Sequence, residues 1–163
     1  MTPLFVLIAV TVTLRAAGAV GVHRLRSWPA ALRGGLAAMF VVTGGSHFVG
    51  MREDLISMVP PALPEPGLLV TLTGVLELAG AVGLLWRRTA PWAAAGLTVL
   101  LVAMFPANVY AALEGLILDG APAMALIPRT LLQALFLAAT LTVLAPHLRR
   151  WKATRSAGTL SPS

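Results

Sequence analysis

The sequence predicts an all-α, polytopic membrane helix bundle, and three observations carry that prediction. Apolar residues come in five blocks of about 20, the length that crosses ~30 Å of hydrocarbon as a helix. Hydrophobic residues make up 58% of the chain and charged residues 11%, with a mean hydropathy of +0.86, outside the range of water-soluble domains. No block alternates apolar with polar residues at a period of two. Backbone inside hydrocarbon must also satisfy its own hydrogen bonds, so each block reads as a helix.

The first block, residues 3–22, has no basic stretch before it and carries Arg15 in its middle, unlike a cleaved signal peptide. It is read as a retained spanning helix; the alternative, in which it lies along the membrane surface, leaves four spanning helices. The second block covers 29–50, the third 67–86, the fourth 90–113 and the fifth 125–146. Pro106 is expected to kink the fourth, because proline lacks the N–H that the ladder needs and neighbouring helices can satisfy the freed carbonyls. Gly44, Gly45, Gly74, Gly80, Gly83 and Gly96 are expected at close helix contacts. Residues 1–28 thus hold an N-terminal helix and a basic connection, and 29–148 a four-helix core. Residues 149–163 form a basic segment followed by a small, polar, disordered tail.

Orientation follows from the charges between blocks, since Lys and Arg are retained on the cytoplasmic side. Arg24, Arg26 and Arg33 lie at the first connection, Arg87 and Arg88 at the third, and Arg149, Arg150, Lys152 and Arg155 after the last block. The second connection sets Arg52 against Glu53, Asp54 and Glu65, and the fourth holds Glu114 and Asp119. Trp28, Trp86, Trp92 and Trp151 all fall at the basic ends, where indole rings favour the interface. The expected topology is N-out and C-in, in a plasma or inner membrane. The net charge of +6 is then explained by anionic headgroups, so the bilayer and not nucleic acid is the expected partner.

The outer connection 51–66 reads MREDLISMVPPALPEP, and its four prolines make it a stiff cap. It serves as a plain connector or as a lid over a pocket opening outward.

Polar residues inside the apolar blocks carry the functional information, because an ionised side chain at mid-bilayer costs about 2.5–3.5 kcal/mol even on lenient scales. At ~1.5 Å of rise per residue, Arg15 and Glu77 fall near mid-depth and His47, Asn108, Arg129 and Gln133 in the outer third. Two polar layers are therefore expected. Arg15 is expected to pair with Glu77 inside the bundle, an ion pair as readily structural as catalytic. His47, Asn108, Arg129 and Gln133 are expected to line a ligand pocket open to the outside. Simpler roles stand beside these. His47 can cap its helix, Asn108 can satisfy a carbonyl freed by Pro106, and Arg129 can snorkel outward or pair with Asp119 or Glu114.

The absence of cysteine removes thiolate nucleophiles, disulfides and Cys metal sites. His23 and His147 belong to one end of the bundle and His47 to the other, so no metal site is expected. No phosphate loop or nucleophile elbow occurs, so no catalytic residue is assigned and no cofactor is evident.

From about residue 32 to 146 the chain resembles DoxX-like membrane proteins. The resemblance rests on GGSHF at 44–48 followed by MREDLISMVPPALP, GVLELAGAVGLL at 74–85, FPANVYAA at 105–112 and RTLLQ at 129–133. It implies a four-helix membrane core with the Arg15 helix as an N-terminal addition, and it places His47, Glu77, Asn108 and Arg129 within recurring motifs. The family takes its name from a subunit associated with a quinone-linked thiosulfate oxidoreductase, and some relatives are proposed to support membrane redox or oxidative-stress complexes. The resemblance thus implies a non-catalytic component supporting a membrane oxidoreductase, with a redox partner protein; quinone as a cofactor rests on the resemblance alone. Relatives acting in disulfide chemistry carry cysteines, which this sequence lacks. The alternative function is binding or transport of a small quinone, lipid or anion, with charge from Arg129 and hydrogen bonds from Asn108 and His47. Small-residue faces such as 93–96 pack helices within one chain or between chains, leaving homo-oligomers open.

Overall fold

The apolar blocks fold as long helices, and the computed structural model describes them over residues 1–158, with side chains except at position 24 and from 147 onward. In chain order these are α1 (Thr2–Ala19), α2 (Trp28–Ser46), α3 (Arg52–Ser57), α4 (Pro66–Leu85) and α5 (Ala90–Leu113). A two-stranded hairpin, β1 (Ile117–Leu118) and β2 (Ala121–Pro122), precedes α6 (Leu126–Gly158). The architecture is an all-α bundle. Helices α1, α4 and α5, and the stretch Leu126–Pro146 of α6, are long and apolar enough to cross a bilayer. Helix α2 matches them in length at 19 residues but is diluted by Arg33 and by two glycine pairs. It is also the central helix, burying Leu36, Met39 and Phe40 completely or nearly so. A helix covered by protein needs fewer lipid-facing apolar side chains than one at the rim.

Packing runs α1 on α2, α2 on α4, α4 on α5 and α5 on α6, with α6 returning to α2. Helices α2, α4, α5 and α6 therefore enclose the core of Leu36, Met39, Phe40, Leu84, Leu97 and Val143. Helix α1 lies lengthwise on the outside of α2, where Gly34 meets Leu14 and Gly35 meets Thr11. These contacts seat α1 against α2 within the bundle. Leu68, Leu72, Val99 and Leu131 point outward and exposed, an apolar girdle suited to lipid.

Of the glycines expected at helix contacts, Gly44, Gly74, Gly80 and Gly83 are there, while Gly45 and Gly96 face open space. Trp28, Trp86 and Trp92 stand exposed at one end of the bundle.

Several boundaries differ from the sequence expectation. Helix α2 stops at Ser46 because the chain turns through Gly50, whose φ of 80° suits glycine. In the connection 51–66, α3 forms ahead of the prolines, with Glu53 and Asp54 placed favourably in its first turn. Pro60, Pro61 and Pro64 then hold the chain out of helix until Pro66 opens α4. The fourth connection is a hairpin, closed by Asp119 and Gly120 with φ of 51° and 72°, the left-handed pair that a two-residue turn requires. Helix α6 does not end at Pro146 but continues to Gly158, through the basic segment and into the tail that the sequence reading leaves disordered. Its continuation holds three Arg and two Ala with single Leu and Lys residues, all good helix formers, and one proline removes only one donor. The rest of the expected disordered tail, 159–163, lies outside the described residues, as do the side chains of His147, Arg149, Arg150, Trp151, Lys152 and Arg155.

Candidate functional site

The connections joining α2 to α4 and α5 to α6 lie at the same end of the bundle as the start of α1, and beneath them is a cavity of about 480 Å³. That volume falls within the range of small-molecule sites. His47, Asn108, Arg129 and Gln133, the four expected pocket residues, all line it. So does Glu77, which the sequence reading assigned to a different layer. Apolar walls come from Met39 and Phe40 of α2, Leu101 and Met104 of α5, and Leu132 and Phe136 of α6. The mouth is formed by residues 1–4 with Met51, Leu55, Asp119 and Met124.

One wall is built by two glycines. A Cβ at Gly44 would lie 3.1 Å from the Glu77 Cβ, and one at Gly74 would lie 2.5 Å from the His47 Cβ. The absence of those methyl groups lets α2 and α4 approach until His47 and Glu77, each 3% exposed, lie side by side. His47 Nδ1 is 2.8 Å from the carbonyl oxygen of Val70. A carbonyl can only accept, so Nδ1 carries the proton and Nε2 faces Glu77 Oε1 at 3.9 Å. That separation exceeds a hydrogen bond, yet a polar group placed beside the pair is within reach of both. Thr43 donates its hydroxyl to Glu77 Oε2 at 2.5 Å. Arg52 donates to the His47 carbonyl (3.0 Å) and to Thr71 Oγ1 (3.0 Å), tying the end of α2 to the start of α4.

The facing wall carries the cation. Arg129 donates through Nε and Nη2 to the single oxygen Asn108 Oδ1, at 3.1 and 2.6 Å. Among the described residues it makes no ion pair, neither with Asp119 nor with Glu114. Gln133, 8% exposed, donates to the Leu101 carbonyl at 2.6 Å, one turn before Pro106. Among the described residues Asn108 supports no backbone carbonyl and instead holds Arg129.

The expected Arg15–Glu77 pair does not form. The Arg15 guanidinium lies 5.3 Å from the ring centroid of Trp28, a cation–π contact at the opposite end of the bundle. Its Nε is buried without a hydrogen-bond partner. Helix α1 ends at Ala19, not at residue 22, so Arg15 sits one turn from its end, and α2 stands between α1 and α4. Glu77 instead lines the cavity beside His47.

Sequence reasoning missed Thr43, Arg52 and Thr73, whose Oγ1 lies 3.2 Å from His47 Nδ1. The signal was present as helical spacing: Thr43, Ser46 and His47 fall on one stripe of α2, and Thr73 and Glu77 on one stripe of α4. For Arg52 no comparable signal exists, because its partners depend on how the outer connection folds back.

A family described as a domain of unknown function, DUF8561, matches residues 36–144. The match covers two thirds of the chain. The protein belongs to the DUF8561 family. The DUF8561 region begins inside α2 and ends inside α6, so it holds every cavity residue contributed by α2, α4, α5 and α6, while α1 lies outside it. No curated protein and no solved structure matches the chain.

Proposed function

We propose that this DUF8561 protein binds a small amphiphilic molecule with an anionic or hydrogen-bond-accepting head in the outer cavity, as the recognition step of a membrane receptor or transporter. The observation that carries this reading is the state of Arg129. It is a partly buried guanidinium in a largely apolar cavity, and its hydrogen-bond partner is the neutral Asn108. A cation in low dielectric without a counter-charge is costly, and an anionic ligand supplies what the protein leaves out. The head would meet Arg129, the body would lie against Phe40, Met104 and Phe136, and a hydroxyl or carbonyl would reach His47 and Glu77. The hairpin and α3 cover this ligand, joined by the Asp119 N–H donating to Asp54 Oδ2 at 2.7 Å.

The orientation that fits is N-out and C-in within the plasma or inner membrane, with the cavity opening outward. It is supported by the arginines and exposed tryptophans gathered at the other end.

The test is thermal stability of detergent-purified protein against a panel of quinones, lipids and small anions, with wild type compared to Arg129→Gln. A ligand-induced rise in wild type that disappears in a folded Arg129→Gln supports the proposal. A panel that leaves the wild-type midpoint unmoved, or a rise that persists in Arg129→Gln, overturns it.

A further inference from the structure

The end of the bundle opposite the outer cavity holds a second, smaller cavity of about 430 Å³, lined by Leu25, Ala30, Arg33, Leu85 and Arg87. Two guanidiniums therefore converge on one space from different elements, Arg33 from α2 and Arg87 from the turn after α4. The sequence offers them no carboxylate. Of its six Asp and Glu residues, Glu53, Asp54, Glu65, Glu114 and Asp119 belong to the opposite end, and Glu77 lies within α4 beside His47. Neither arginine makes an ion pair or side-chain hydrogen bond among the described residues, and Arg33 Nε is buried with no partner.

The walls are held in place. Gly18 of α1 accepts the chain after the first turn so closely that a Cβ there would lie 2.6 Å from the backbone carbon of Leu25. Thr89 donates to the Gly83 carbonyl at 2.7 Å, closing the turn that carries Arg87. Like charges that face one space repel each other, and an anion between them turns that repulsion into attraction. A tetrahedral oxyanion suits the pair, because each guanidinium presents parallel N–H donors that match two phosphate oxygens. Leu25, Ala30 and Leu85 add an apolar side for the glycerol and acyl portion of a lipid.

We infer that the Arg33–Arg87 cavity is a phosphate-binding site, separate from the outer cavity, which takes the headgroup phosphate of an anionic lipid or a free phosphate. The decisive variants are Arg33→Gln and Arg87→Gln, with Arg88→Gln as control, because Arg88 is the adjacent exposed cation and does not line the cavity. Each full-length protein, purified in neutral detergent, is titrated with phosphatidylglycerol by native mass spectrometry and with inorganic phosphate by calorimetry.

Phosphatidylglycerol bound by wild type and weakened about tenfold or more in each of the two cavity variants, but unchanged in Arg88→Gln, establishes the site with lipid as its source. Inorganic phosphate binding with the same dependence establishes it with a free phosphate as source. Binding of neither, or equal weakening in all three variants, overturns the inference. Arg87 sits in an exposed turn, so Arg87→Gln decides the matter even where Arg33→Gln fails to fold.

Discussion

Gly74 of α4 faces His47 at the end of α2 so closely that a single added methyl carbon would come within 2.5 Å of the His47 Cβ. The contact brings the imidazole to its 2.8 Å hydrogen bond with the Val70 carbonyl and sets Nε2 beside Glu77. Gly74→Ala should therefore destabilise the fold by about 1–3 kcal/mol, the usual cost of overpacking a tight contact. Gly45→Ala, which faces open space, should change stability little. Reversible unfolding in mixed detergent micelles measures both, and equal effects would argue against the contact.

Glu77 is held by Thr43 and not by Arg15. A double-mutant cycle of Thr43→Val with Glu77→Gln should show a coupling of about 0.5–3 kcal/mol, the span from neutral to charged hydrogen bonds. The cycle of Arg15→Met with Glu77→Gln should be additive to within about 0.5 kcal/mol, as for residues that share no partner. A large coupling in the second cycle would restore the ion pair that the sequence suggested.

Asn108→Asp places a carboxylate where Arg129 now meets an amide oxygen. The ligand-free protein should become more stable, because the cation gains a counter-charge without a change of shape. Binding of any anionic ligand in the outer cavity should weaken by about tenfold, or 1.4 kcal/mol, since the carboxylate competes for the same guanidinium. Thermal midpoints with and without ligand read both effects from one preparation.

Arg52→Ala removes the donors that join the His47 carbonyl to Thr71. Hydrogen exchange across residues 47–71 should speed up about tenfold or more, consistent with losing hydrogen bonds of a charged donor, each worth about 1.5–3 kcal/mol. Exchange in α5 should stay unchanged. Uniform acceleration would mean that Arg52 supports the whole fold and not this wall.

Much of the cavity beneath the hairpin was legible because depth along a bundle of membrane-length helices is a one-dimensional coordinate. Counting residues from helix ends placed His47, Asn108, Arg129 and Gln133 at one level, and the structure brings all four to one cavity. The same count set Arg15 and Glu77 together in a deeper layer, whereas Glu77 lines this cavity and Arg15 lies against Trp28 toward the far end. Which residues at one level touch depends on the order of helices around the bundle, and nothing in a linear count supplies it. The hairpin at 117–122 carries a strong turn signal in Asp119-Gly120, but its strands are only two residues each, too short to show a period of two.

The sequence by itself determined that the chain is a helix bundle with membrane-length apolar segments, since hydrocarbon forces buried backbone into helices and hydropathy is a property of composition. It also determined that one end is rich in arginine and poor in carboxylates. Only the tertiary structure decided that Glu77 lies beside His47, that Asn108 holds Arg129, and that Arg33 and Arg87 share a cavity. Those relationships join different helices, and the first is set by where Gly44 and Gly74 let two backbones approach, a condition that acts between surfaces and leaves no periodic mark along either one.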